Sequence, residues 1–328
     1  MKTLGIVIPT YNRVGWLKKA LDVLMPLVRE NAEDICVYVS DNASQDGTDS
    51  IMSYYLNEYT GLIEYHRHDK NSGYFFNFNY GIQNIQAKFV FLHGDDDVVT
   101  PYFIDFILNV LRKNDNLAWI HFNYFLSDIK RGKVSLFQNK MDLSHAIIYY
   151  EDGIKMIGEY LNGPSFMSAN IFRREDWITN VESPEKSQCY GYEWLYVMLK
   201  GVLGKPSMYI RTPLFVQQFS GSNNYNKLWP LYSLVGIYKV FENLDSGLLE
   251  IWREYHCHTL KNEYYRSISF VYMDKSLYKA KYSELTHYMR KKDKFMTFLL
   301  IYVFPSFISK YFVSMPIRVF SKLVTLIK

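Results

Sequence analysis

From residue 4 to about residue 122, short β-branched apolar runs alternate with longer segments of helical period. The runs are Leu4–Ile8, Ile35–Ser40, Leu62–Tyr65, Phe89–His93 and Ala118–Phe122. Between them Trp16, Leu17, Ala20, Leu21, Leu24 and Leu27 recur at the spacing of one helix face, as do Phe103, Ile104, Ile107, Leu108 and Leu111. Pro101 stands where a helix can begin, because its missing N–H would have no partner there in any case. Strands alternating with amphipathic helices predict an α/β domain with a largely parallel sheet.

Ligands of such open sheets sit beyond the carboxyl ends of the strands, so the loops that follow the runs are where chemistry is expected. They are polar: Pro9-Thr10-Tyr11-Asn12-Arg13, then Asp41 to Thr48, then Gly94-Asp95-Asp96-Asp97. Further along, Ser165–Phe172 and Met208–Gln217 read as strands and Cys189–Leu199 as a helix. Trp229–Leu244, Leu248–Tyr272 and Ser276–Lys291 read as helices, with no repeat at a fixed period. The turn-forming cluster Gly221-Ser222-Asn223-Asn224 is the expected hinge. The expected division is therefore a domain over 1–227, in halves 1–122 and 123–227, followed by a helical C-terminal region over 228–328.

Composition narrows the function classes. Charged residues make up 21% of the 328 positions and aromatic residues 17%, a balance that predicts a folded chain. A net charge of +4 over this length is too weak for a nucleic-acid-binding face. Cys36, Cys189 and Cys257 lie far apart, with no zinc-type pair and no disulfide framework, which fits a reducing cytoplasm. The apolar run before Pro9 has no small-residue cleavage site and reads as a strand, not a signal peptide. Phe295 to Met315 is mostly apolar but is broken by Pro305 and Lys310 and flanked by lysines. It is marginal for a membrane span and reads either as a segment lying on a membrane surface or as helices folded on the protein's own core.

Three consecutive aspartates after an apolar strand repel one another, so a positive partner is expected. Mg²⁺ or Mn²⁺, held by one or two carboxylates with diphosphate oxygens and water, meets that need. A lone triplet reads more readily as a solvated turn with a helix cap. The neighbouring loops decide.

Ile6-Val7-Ile8-Pro9-Thr10-Tyr11-Asn12-Arg13, Val39 to Thr48, Asn71-Ser72-Gly73 with Asn79 and Gly81, and Gly94-Asp95-Asp96-Asp97 with Pro101 follow in a fixed order. In that order the chain resembles glycosyltransferase family 2, strongly over 4–122 and loosely over 160–220. The resemblance implies a GT-A-like, mostly parallel sheet flanked by helices and a metal-dependent, inverting transfer of a sugar from a nucleoside diphosphate donor. It implies donor contacts from Pro9, Thr10, Tyr11, Arg13, Asp41 (the base), Asn71, Gly73, Asn79, Asp95 and Asp96, and a Mg²⁺ or Mn²⁺ ion on Asp95 and Asp97. The family's general base lies in an acidic pair that opens a helix. Gly191-Tyr192-Glu193-Trp194 matches that stretch and makes Glu193 the candidate, with Tyr192 in place of the family's first acidic residue. Asp176 stands in reserve.

A glycan or lipid-linked acceptor, cytoplasmic synthesis of a surface polysaccharide and a peripheral position on the inner membrane face follow as expectations from the resemblance. Two other functions share such a scaffold. A nucleotidyltransferase needs a basic, glycine-rich loop near the first strand, which Gly5 alone does not supply. A non-catalytic sugar-nucleotide or glycan-binding protein would not need the intact triplet.

Overall fold

The structure is a computed structural model, and it describes residues 1–128, 132–136, 146–160, 165–181, 189–218 and 228–304. The chain divides into two compact units, one of residues 1–182 and 197–221, the other of residues 183–196 and 222–328.

In the first unit β1 (Lys2–Thr10), α1 (Val14–Glu30), β2 (Ile35–Asp41), α2 (Thr48–Glu58), β3 (Ile63–Arg67), α3 (Tyr74–Asn84) and β4 (Ala87–Leu92) follow the alternation read from the sequence. β5 (Val98–Val99), α4 (Phe103–Lys113), β6 (Trp119–Phe122), β7 (Phe125–Asp128), β8 (Lys133–Leu136), β9 (Ile147–Tyr150) and α5 (Gly153–Glu159) come next. β10 (Asn170–Arg173), α6 (Arg174–Asn180), α7 (Glu193–Val202), β11 (Ser207–Ile210) and β12 (Phe215–Gln218) complete the series, with α7 beginning in the 183–196 segment. Among the described residues the main sheet runs β3-β2-β1-β4-β10-β6-β11-β9, and a smaller one runs β5-β12-β7-β8. β1 pairs in parallel with both β2 and β4, and β2 with β3, whereas β10 enters antiparallel between β4 and β6.

The β-branched strands are buried on both faces, as a sheet covered by helices requires. Leu17, Leu21, Leu24 and Val28 of α1 and Ile104, Ile107, Leu108 and Leu111 of α4 join Leu4, Ile6, Ile8 and Val37 in one core. Each such side chain contributes ~1.5–3 kcal/mol on full burial. Phe75 and Phe78 of α3 pack instead on Trp177 of α6. Gly81 lets α3 approach the sheet closely, since a Cβ there would stand 2.6 Å from Val7 Cγ1.

Two sequence readings differ in detail. Ser165–Phe172 holds a 3₁₀ turn, Met167–Ala169, before β10 begins, because Asn170 folds its amide back onto the Phe166 carbonyl. Met208–Gln217 is not one strand: β11 and β12 belong to different sheets, and Pro213, which lacks an N–H, lies between them.

In the second unit the helices Trp229–Leu231, Ile237–Leu244, Ser246–Glu254, Lys261–Ser269, Lys275–Ala280, Tyr282–Thr286 and Lys291–Phe298 are shorter than their sequence pattern. π turns at Tyr232–Gly236, Tyr255–Thr259 and Leu299–Val303 interrupt the pattern, and Asp245 and Asp274 cap new starts. Its core is aromatic, with Tyr238 stacked on Tyr288 and Phe241 on Trp252. The expected hinge at 221–224 and the tail from 305 lie outside the described residues.

Candidate functional site

The parallel register of the sheet brings three strand ends to one edge. Thr10 is the register partner of Asp41, and Asp41 of Arg67, while β4 ends beside them at Leu92. The loops leaving these ends are sewn together. Asn12 N–H donates to Ser44 Oγ at 2.8 Å, and Gln45 N–H donates to Asn12 Oδ1 at 2.7 Å. Asn12 and Ala43 adopt left-handed φ of 52° and 67°. For alanine that conformation costs ~1–2 kcal/mol, strain of a kind that gathers at functional sites.

The acidic triplet folds back over β1. Thr10 Oγ1 donates to Asp95 Oδ2 at 2.8 Å, Arg13 Nη1 stands 3.1 Å from Asp95 Oδ1, and Arg13 Nη2 pairs with Asp96. Asp97 Oδ1 accepts from Gln218 N–H at 3.4 Å, and Gly94 N–H donates to Ser168 Oγ at 2.9 Å. Asp95 and Asp97 are almost wholly buried, whereas Asp96 keeps 22% of its side chain exposed. Burial pushes the Asp95 carboxyl up to about 7 although Arg13 pulls it back. Burial and then the Asp96 charge push Asp97 well above the carboxylate range. Burial works against the charge on Arg13, yet Asp95 and Asp96 hold its guanidinium above its ordinary value.

These residues fit a hard cation. A Cβ on Gly94 would lie 2.8 Å from Asp97 Oδ2 and 3.4 Å from Asp96 Oδ1, so two carboxylates converge over a residue that has no side chain. Among the described residues no group of three His, Cys, Asp or Glu side chains forms a ready-made cage.

Asp41 is fully buried: its Oδ1 accepts from Ser44 N–H at 2.9 Å and its Oδ2 from Tyr65 O–H at 2.8 Å, with Arg67 Nε at 3.9 Å. Asn42 ties the 71–73 loop down, donating to Asn71 Oδ1 and the Gly73 carbonyl and accepting from Ser72 N–H. Gly73 takes a φ of 90° that favours glycine. Tyr11 is exposed beside Pro9. Asn79 lies apart from this cluster and accepts from Trp177 Nε1 at 2.9 Å. Arg173 and Arg174 donate to backbone carbonyls of residues 115, 117, 82 and 83. Asp176 pairs with Lys205 at 2.6 Å.

Glu193 opens α7 in the second unit. Tyr190 and Gly191, with φ of 43° and 91°, turn the chain into that helix. Lys281 donates to the Tyr190 hydroxyl at 2.7 Å, and a Cβ on Gly236 would meet the Cys189 carbonyl at 2.3 Å. Sequence reading passed over Asn42, Asn77, Ser168 and Gln218. Ser168 and Gln218 reach the triplet from 74 and 121 residues away, a distance that no local pattern spans.

The main sheet, with helices between its parallel strands, thus gathers an acidic triplet, a threonine and an arginine beyond the carboxyl ends of its strands. Residues 5–174 match the family model described as Glycosyl transferase family 2, and the chain belongs to that family. It is 32% identical over 96 residues to the abequosyltransferase RfbV of Salmonella typhimurium, a match covering 29% of this chain and 28% of that protein. It is 31% identical over 113 residues to an uncharacterized glycosyltransferase of Rickettsia felis, covering 34% of this chain and 18% of that protein. The matches thus span between 18% and 28% of these relatives' length. Among solved structures, S. aureus TarS 1-349 in complex with UDP superposes with a TM-score of 0.58 at 15% identity, over 92% of this chain and 90% of that one. The mannosyltransferase PcManGT from Pyrobaculum calidifontis, in complex with GDP-Man and Mn²⁺, superposes with a TM-score of 0.50 at 13% identity, over 94% and 84%. At these identities the likeness is one of fold.

Proposed function

We propose that this chain transfers a sugar from a nucleoside diphosphate donor to a glycan or lipid-linked acceptor, with inversion and with a divalent cation, in the synthesis of a surface polysaccharide. The observation that carries the reading is the buried triplet bound to Thr10 and Arg13 at the carboxyl edge of the parallel sheet. Carboxylates pushed up by burial are the groups a divalent cation relieves, and the bound ion would act as a Lewis acid on the departing diphosphate. Asp95 and Asp97 would hold that ion, and Asp96 and Arg13 would contact the diphosphate. Exposed Tyr11, with Pro9, and the loop held by Asn71 and Gly73 frame the nucleotide, and buried Asp41 fixes the β2 loop against its base or ribose. Asn79 supports α3 through Trp177. The assignment of Glu193 as proton acceptor for the acceptor hydroxyl is supported by its match to the family stretch and its place at a helix start.

Related proteins lend the chemistry: TarS was captured with UDP, and PcManGT with GDP-Man and Mn²⁺. The exposed aromatic face near residues 295–303, beside Lys291 and Lys292, supports a peripheral position at a membrane on the cytoplasmic side. No helix among the described residues is long and apolar enough to cross one.

Release of nucleoside diphosphate from a panel of sugar nucleotides, with and without Mn²⁺, tests the function. Metal-dependent release is expected, abolished in Asp95→Asn and Asp97→Asn. Glu193→Gln is expected to bind donor normally yet transfer ~10²–10⁴-fold more slowly. Binding without turnover in the unsubstituted protein would favour a non-catalytic role, and release of pyrophosphate from a nucleoside triphosphate and a sugar phosphate, in place of sugar transfer, a nucleotidyltransferase.

A further inference from the structure

Helix α3 carries one polar side chain into the contact that its small residue Gly81 makes possible. Asn77 is 3% exposed between the buried Phe75, Phe78 and Ile82. Its Nδ2 donates to the Thr10 carbonyl at 3.3 Å, and its Oδ1 accepts from Ser40 Oγ at 2.8 Å. The Thr10 carbonyl also accepts from Asn42 N–H at 3.0 Å, so both of its lone pairs are engaged. Two donors from different elements set the plane of that peptide and with it the direction of the Thr10 side chain, whose hydroxyl donates to Asp95 Oδ2.

The line extends the other way as well. Ser40 Oγ also lies 3.1 Å from His68 Nε2.

We propose that Asn77 is a positioning residue of the donor site, acting through Thr10 on Asp95; this rests on the reading of Asp95 as part of that site. Asn77 touches neither metal nor nucleotide. It fixes the end of β1, so that Thr10 presents its hydroxyl to the carboxylate and keeps Asp95 aimed.

The test is a double-mutant cycle on the full chain, read as the affinity for UDP and for GDP in the presence of Mn²⁺ by calorimetry. Asn77→Ala is expected to weaken binding about tenfold, the order for a buried group left without its partner. Thr10→Val is expected to do the same, and the double variant no worse than the weaker-binding single one, because the two act in series. Ile82→Ala on the same helix is expected to lower the melting temperature while leaving affinity unchanged, which separates positioning from general destabilisation. Asn77→Leu keeps the side-chain volume and serves should the alanine variant fail to fold, and Ser40→Thr is expected to retain the affinity that Ser40→Ala loses. Full affinity in Asn77→Ala or Asn77→Leu, or losses that add in the double variant, would overturn the proposal. If the unsubstituted protein binds no nucleoside diphosphate of any base with Mn²⁺, the donor-site reading itself fails and this inference with it, an outcome distinct from a silent Asn77.

Discussion

Gly94 has no side chain in a place where one would collide with the chemistry. Its Cβ would stand 2.8 Å from Asp97 Oδ2, 3.1 Å from Ser168 Oγ and 3.4 Å from Asp96 Oδ1. Overpacking of this kind costs ~1–3 kcal/mol, and every 1.4 kcal/mol is a factor of ten in an equilibrium constant. Gly94→Ala is therefore expected to weaken Mn²⁺-dependent nucleoside diphosphate binding about tenfold while shifting the melting temperature by only a few degrees. Calorimetric titration beside a thermal melt checks this, and unchanged affinity would show that the two carboxylates have room to move. The triplet was legible in the sequence because three like charges in a row need an explanation. Asn77 was not, because a lone asparagine in an amphipathic helix reads as surface. Its burial depends on how closely α3 approaches β1, which Gly81 permits but does not announce.

The first four strands and the helices α1 and α4 were legible because each carries its own period: continuous apolar runs for the strands, and one apolar face for each helix. The elements of residues 165–218 were read less well, since their starts and ends depend on partners far away in the chain, as when β11 joins the main sheet and β12 the smaller one. The π turns of the helical unit carry no periodic mark in the sequence; one of them, Tyr255–Thr259, holds His256, whose ring meets Tyr238 and Trp252. Across the helix Lys291–Phe298 and the π turn Leu299–Val303, Phe295, Phe298, Tyr302 and Val303 are exposed, Phe298 stacks on Tyr302, and Lys279 lies over the Tyr302 ring. Exposed aromatics flanked by lysines suit an anionic headgroup layer, where each cation near the surface contributes about 1 kcal/mol. The full chain is expected to cosediment with anionic liposomes at low salt and to be released at high salt, with weaker binding in Phe298→Ser. A protein that stays in the supernatant at low salt would remove the membrane from the account.

At the scale of the molecule, the chain order read from the sequence puts a boundary between 227 and 228, whereas the structure groups residues 183–196 with residues 222–328. A sequence is read in order and carries no mark for such a return. The segment involved includes Glu193, held in its unit by the turn at Tyr190 and Gly191 and by Lys281. The donor-side residues belong to the other unit, inside the stretch that matches the family. Asp95 and Asp97, within that stretch, are proposed to hold the cation that accompanies the donor's diphosphate. Anomalous diffraction from a crystal of the full chain with Mn²⁺ and UDP or GDP locates that ion. A manganese peak is expected within about 2.5 Å of a carboxylate oxygen of Asp95 or Asp97, with the diphosphate on its far side. A manganese peak on the nucleotide but remote from Asp95, Asp96 and Asp97 would contradict it.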